Sequence, residues 1–176
     1  MKKVLLSAVI LTQFILCAKA QKASVDADKD FKFSIGVIGA LPTGDLKSTS
    51  NFGIGGSLQG EYKAAPELGL TVSVDYISFS GKNYSDLGTT IKYPTISLIP
   101  ILAGGRYYFG GGAYISAQLG ITSLKASGES STSAFTYAPG IGYYLSPNFD
   151  LLLKYQAASK NGGTIAFIGL RAAYNF

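Results

Sequence analysis

From residue 31 to the end of the chain, apolar and polar positions alternate with a period of two, segment after segment. That repeat belongs to β-strands whose two faces meet different surroundings. The last segment shows it most clearly. Phe176, Tyr174, Ala172, Leu170, Ile168 and Ala166, every second residue back from the end, form one uninterrupted apolar face. The other face carries Asn175, Ala173, Arg171 and Gly169, then Phe167 and Ile165, so the half nearest the terminus is small or polar. A single strand of this kind would also suit the edge of a soluble sandwich. Seven further strands with the same alternation would not.

Those strands can be read in order. The first, from Phe31, sets Phe31, Phe33, Ile35, Val37 and Leu41 against Lys32, Ser34 and Gly36. The second sets Phe52, Ile54, Leu58 and Tyr62 against Ser57, Gln59 and Glu61. Its glycines, Gly53, Gly55, Gly56 and Gly60, lack the dinucleotide-binding spacing and predict bends in a narrow barrel. The third places Leu68, Leu70, Val72, Val74 and Tyr76 opposite Thr71, Ser73 and Asp75. The fourth, over residues 93–109, is apolar on both faces, because Ile96, Leu98 and Leu102 interleave with Ile99 and Ile101. Arg106 sets its phase: with Arg106 inward, Ile99, Ile101, Tyr107 and Phe109 face out. Pro100, which cannot donate to a ladder, is then expected at a bulge. The fifth strand opposes Ala113, Ile115, Ala117, Leu119 and Ile121 to Tyr114, Ser116, Gln118 and Thr122. The sixth opposes Phe135, Tyr137, Ile141 and Tyr143 to Thr136, Ala138 and Tyr144, and the seventh Phe149, Leu151, Leu153 and Tyr155 to Asp150, Lys154 and Gln156.

The connections alternate in length. Short turns at residues 64–67, 110–112 and 146–148 are interleaved with longer polar loops at 42–51, 79–92, 125–133 and 159–163. This asymmetry fits membrane barrels with short turns on one side and long loops on the other. The outward aromatics obey it too. Phe31, Phe33, Tyr62, Tyr107, Phe109, Tyr143, Phe149, Tyr174 and Phe176 fall at the short-turn end, and Phe52, Tyr76, Tyr93, Phe135, Tyr137 and Tyr155 at the loop end, two girdles as at membrane interfaces.

Composition agrees with a wall in lipid: 22 glycines, 12 tyrosines, 10 phenylalanines, 14% charged residues and a mean hydropathy of +0.26. No apolar run long enough for a spanning helix occurs past the N-terminus, and in lipid only helices and closed barrels satisfy every backbone group. The first twenty residues read as a secretory leader. Lys2 and Lys3 precede the apolar stretch 4–16, and Ala18-Lys19-Ala20 is a small-x-small cleavage site. Residues 21–30 read as a flexible tail and 31–176 as the barrel. Three of the 15 lysines and arginines lie in the leader, leaving twelve against 10 acids, a net charge of +2 with no basic stripe for nucleic acid. Cys17, the only cysteine, leaves with the leader.

The chain thus resembles the small eight-stranded outer-membrane barrels of the OmpA and OmpX type over residues 31–176. The Gly-Arg-Tyr-Tyr-Phe run at 105–109 and the Leu-Pro-Thr-Gly-Asp run at 41–45 look most like the outer-membrane barrel domains common in the Bacteroidetes. The resemblance implies an all-β, antiparallel, up-and-down transmembrane β-barrel in the outer membrane. It implies outer-membrane lipid and lipopolysaccharide as surroundings and an external ligand met through four loops. It also implies the barrel-assembly machinery as a partner that reads Leu170, Tyr174 and Phe176 as the assembly signal. The chain ends at Phe176 and is therefore expected to lack the peptidoglycan-binding domain of OmpA itself.

What the interior holds follows from the phase. Lys32, Glu61, Lys63, Asp75, Arg106, Asp150, Lys154 and Arg171 all point inward, five cations against three carboxylates. Buried charges must be paired, and eight strands enclose little more than their side chains, so a packed ionic plug is expected, with Lys32 and Lys63 reaching water. Arg106 is expected near Glu61 or Asp75. With no histidine in the chain and no cysteine past the leader, no metal, cofactor or nucleophile–base pair is expected. Enzymes of similar barrels, the lipid A acyltransferases and deacylases and the outer-membrane phospholipase, rely on His with Ser, which this chain cannot supply. The expected role is envelope structure and surface contact. A narrow channel or transport subunit, or a soluble ligand-binding barrel, are the competing functions.

Overall fold

A computed structural model describes residues 31–86, 89–126 and 131–176, without the side chains of 83–86, 89–92 and 126. The expected leader with Ala18 and Ala20, and the tail of residues 21–30, lie outside the described residues. Eight long strands close into one antiparallel barrel. They are β1 (Phe31–Thr43), β2 (Ser50–Ala65), β3 (Leu68–Gly81), β6 (Ile96–Gly110), β7 (Ala113–Ala126), β8 (Thr132–Ser146), β9 (Phe149–Lys160) and β10 (Gly163–Asn175). Between them lie a short helix α1 (Asp45–Thr49) and a separate hairpin of β4 (Asn83–Asp86) and β5 (Thr89–Lys92). Each barrel strand pairs with its sequence neighbour, and β10 closes on β1 from Ser34↔Asn175 to Thr43↔Ala166. The Phe176 N–H completes that seam by donating to Phe33 O at 2.8 Å. Closure removes both sheet edges, so every strand keeps its ladder where no water could replace it.

The alternation becomes a wall. Outward residues such as Val37, Ile54, Leu58, Leu119 and Ile141 are exposed, while their inward neighbours Ile38, Ser57, Gln59, Gln118 and Thr136 are buried. All fifteen outward aromatics are exposed and gather at the two ends. Ala166 departs from this pattern. It is outward in phase but only 6% exposed, a methyl group between Thr43 and Ala157 in the ladder that does not clear the side chains around it.

Three local expectations need correction. Pro100 is not at a bulge: it sits in register with Thr122, and the ladder to β3 resumes at Leu98 in the register it had at Ile101. A missing N–H costs the ladder a bond without requiring an extra residue. The connection at 159–163 is no loop, since β9 runs to Lys160 and β10 starts at Gly163. Asn161 and Gly162, with φ of 49° and 85°, form the two-residue hairpin turn that an Asn-Gly pair adopts. The polar stretch from Phe79 is structured as well, with β3 continuing to Gly81 before the β4–β5 hairpin.

Candidate functional site

The lumen divides by height. Toward the short turns it is charged, because the inward positions there are Glu61 on β2, Arg106 on β6, Asp150 on β9 and Arg171 on β10. Arg106, 1% exposed, holds Glu61 through Nη1 at 3.1 Å and faces Asp150 Oδ2 through Nη2 at 3.5 Å. Its guanidinium lies 4.5 Å from the Tyr114 ring centroid, a cation–π contact, and Nη1 donates to the Tyr144 hydroxyl at 3.4 Å. Tyr108 and Tyr114 donate their hydroxyls to Glu61 and Asp150. Three tyrosines thus wall in one arginine and orient both of its counter-ions. Glycines make the room: a Cβ on Gly69 would strike the Glu61 carboxylate, and one on Gly142 the Tyr114 ring.

Asp150 joins this centre to a second one. Its Oδ1 is 3.5 Å from Arg171 Nη1 and accepts from Asn175 Nδ2 at 3.1 Å. Arg171 also donates to Ser57 at 2.9 Å and Ser34 at 2.7 Å. Higher up, Lys154 Nζ meets Asp75 Oδ2 at 2.7 Å, its stem passing between Gly140 and Gly169 on the flanking strands. Arg106 therefore pairs with Glu61 and Asp150, and Asp75 belongs to Lys154.

Of the five inward cations read from the phase, the two expected to reach water lie outside the buried set. Lys63 is exposed, and Lys32 is half-buried with Nζ 5.6 Å from the Tyr144 ring and no carboxylate partner among the described residues. The buried set is Arg106, Lys154 and Arg171 with Glu61, Asp75 and Asp150, three charges of each sign. Such neutrality is what a low-dielectric interior demands. Some atoms in this region find no hydrogen-bond partner among the described residues: Arg106 Nε and Nη2, Arg171 Nη1, Asp75 Oδ1 and both polar atoms of Gln156.

Toward the loops the lumen is apolar, and this half was not anticipated. Ile38, Ala40, Ile77, Phe79, Leu98 and Phe167 form one buried cluster, onto which α1 drops Leu46. Ile96, Leu124 and Ile165 pack against it. The Phe79 and Phe167 rings meet at 5.4 Å, and Gly53 is bare because a Cβ there would press into the Phe79 ring. The signal was present in the two strands whose inward faces looked apolar, at Ile96 and Leu98 and at Ile165 and Phe167.

Leu170, Tyr174 and Phe176 all face outward on the closing strand, Phe176 being 73% exposed. Among the described residues no group of three His, Cys, Asp or Glu stands where it could hold a metal ion. Each buried charge has an opposite charge beside it, and a network of this kind rigidifies a barrel.

Residues 8–176 match the family model described as outer membrane protein beta-barrel domain. Ail, the attachment invasion locus protein of Yersinia pestis, is similar in structure, with a TM-score of 0.58 and 16% identity over 84% of this chain and 98% of that one. Another Ail structure was determined in complex with the heparin analogue sucrose octasulfate. Neisserial surface protein A is similar at a TM-score of 0.53 and 19% identity, over 82% of this chain and 95% of that one. The N-terminal β-barrel domain of Pseudomonas aeruginosa OprF gives 0.50 and 17%, over 82% and 97%. At such identities the likeness is one of fold. No curated protein matches the chain in sequence.

Proposed function

Because the chain belongs to the outer-membrane β-barrel domain family and is an integral protein of the outer membrane, we propose that it is a non-enzymatic envelope protein whose loop end makes external contacts. The observation that supports this reading is the filled lumen. An ionic half and an apolar half lie in series, and each alone would obstruct a solute. The chain has no histidine with which to activate a hydroxyl, and the buried carboxylates are engaged by arginine, lysine and tyrosine. The external contacts fall to α1, the β4–β5 hairpin and residues 127–131, since the fourth connection is a two-residue turn.

A narrow channel is the second reading. The unpartnered polar atoms of Gln156, Asp75 and the two arginines favour it, since lumenal water would satisfy them. Conductance in planar bilayers separates the two. A plugged barrel is silent, and defined current steps would replace the structural reading with the channel.

A further inference from the structure

At the turn end, β1 and β2 stop at different heights. The ladder between them ends at Phe31↔Tyr62, yet β2 continues through Lys63, Ala64 and Ala65. On the β1 side those three residues pair with nothing among the described residues, a short free edge on a barrel that is otherwise closed. Two cations stand at the same rim. Lys63 is exposed, and Lys32, opposite Glu61 in the ladder, turns its Nζ toward the Tyr144 ring while Glu61 is held by Arg106 and Tyr108. Neither lysine makes an ion pair with a carboxylate among the described residues, the terminal one of Phe176 included. The other acids of this end are engaged elsewhere: Asp150 lies between two arginines, and Glu67 accepts from the Tyr107 hydroxyl at 3.1 Å.

The segment that enters at this rim is acidic with a period of two. Asp26, Asp28 and Asp30 share the even positions that Lys32, Ser34 and Ile38 occupy on the lumenal face, whereas Lys29 falls in phase with Phe31 and Phe33 on the wall, and Lys22 lies further back. One step of the β1–β2 register past Phe31↔Tyr62 puts position 30 opposite Lys63, and two more put position 28 opposite Ala65. We propose that residues 26–30 extend β1 along the free edge of β2 and cap the turn-end mouth of the lumen. Asp30 then stands across the ladder from Lys63 and two positions along from Lys32, with Asp28 diagonal to Lys63. Opposite pairs bring Cβ atoms to about 5 Å and diagonal or next-but-one pairs to about 7 Å, both within reach of a lysine. Residues 28–30 are enough to complete the three open rungs. An anion from outside would have to displace a segment tethered beside the site, which acts at an effective concentration of roughly millimolar.

The test is hydrogen exchange of the backbone amides in the full chain extracted into detergent. Residues 26–30 and 63–65 should exchange roughly tenfold or more slowly than a free chain. Asp30→Asn or Lys63→Ala should cut that protection about two- to fivefold, the range of one opposite-charge cross-strand pair, and the double variant should be no worse than either single one. High salt should act in the same direction, while Lys29→Gln should not. Free-chain exchange of residues 26–30 in the wild type would overturn the proposal, and so would equal losses for Lys29→Gln and Asp30→Asn. Short polyglutamate should bind a chain lacking residues 26–30 more tightly than it binds the wild type. Equal binding would mean a mouth that stands open to an outside anion, and the internal cap would be overturned.

Discussion

The two halves of the lumen solve one problem, filling a space that lipid surrounds, by opposite means. Toward the turns six charges of balanced sign are held by directional bonds, with Asp150 shared between Arg106 and Arg171. Toward the loops seven apolar side chains fill the space by shape alone. The first arrangement is intolerant of losing one member and forgiving of losing a matched pair. The second loses roughly in proportion to the volume removed. Pairing fixes which strands face which across the lumen, while packing closes the mouth.

The largest expected effect lies in the ionic half. Arg106→Met leaves Glu61 without a cation and Asp150 with Arg171 alone, and should cost about 3 to 5 kcal/mol, measured by urea unfolding in micelles. Adding Glu61→Gln should recover part of that loss, and a double-mutant cycle reads the coupling directly. The matching cycle of Arg106→Met with Asp75→Asn should show none, because Asp75 is held by Lys154. Equal coupling in both cycles would dissolve the pairing scheme.

The apolar half should behave differently. Phe167→Ala should cost about 3 kcal/mol, the low end for a buried phenylalanine, because α1 can settle into the space. Combining it with Phe79→Leu should be no milder than the two losses together. A double variant more stable than Phe167→Ala alone would erase the contrast between the halves.

A smaller effect, about 2 kcal/mol, is expected for Leu46→Ala, since α1 is a five-residue helix that contributes one buried side chain. This variant also asks which half seals the barrel. If the ionic half suffices, bilayers containing Leu46→Ala stay silent. Current steps in that variant, with wild type silent, would assign the seal to the loop end.

Legibility followed the surroundings. The wall could be read residue by residue because lipid makes the same demand at every outward position, and even the phase of β6 followed from Arg106 alone. Individual lumenal charges were legible for the same reason, and of the two partners expected for Arg106 one, Glu61, holds it, but the other pairings were not legible. Lys154 meets Asp75 from 79 positions away in the chain, and which inward residues face each other depends on the stagger of the closed sheet. The apolar half was obscured because an apolar inward residue looks like an outward one: Phe167 and Leu98 read as noise in the alternation. Asn161-Gly162 was legible and misread, since the dipeptide by itself signals a two-residue hairpin.

The closing strand offers the smallest change in stability and separates folding from assembly. Phe176 is 73% exposed at the turn-end girdle, packing its ring against Tyr174 at 5.1 Å, and its N–H rather than its side chain closes the seam onto Phe33. Phe176→Ala keeps that backbone bond and should cost about 1 kcal/mol of finished stability, because most of the ring never leaves its lipid-like surroundings. If Phe176, Tyr174 and Leu170 serve as an assembly signal, the same substitution should sharply lower the heat-modifiable protein in outer-membrane fractions. Refolding yield from urea into micelles should stay close to wild type. Were both to fall together, the ring would be structural. Were neither to fall, these outward residues would be ordinary wall, no different in kind from Leu153 on the neighbouring strand.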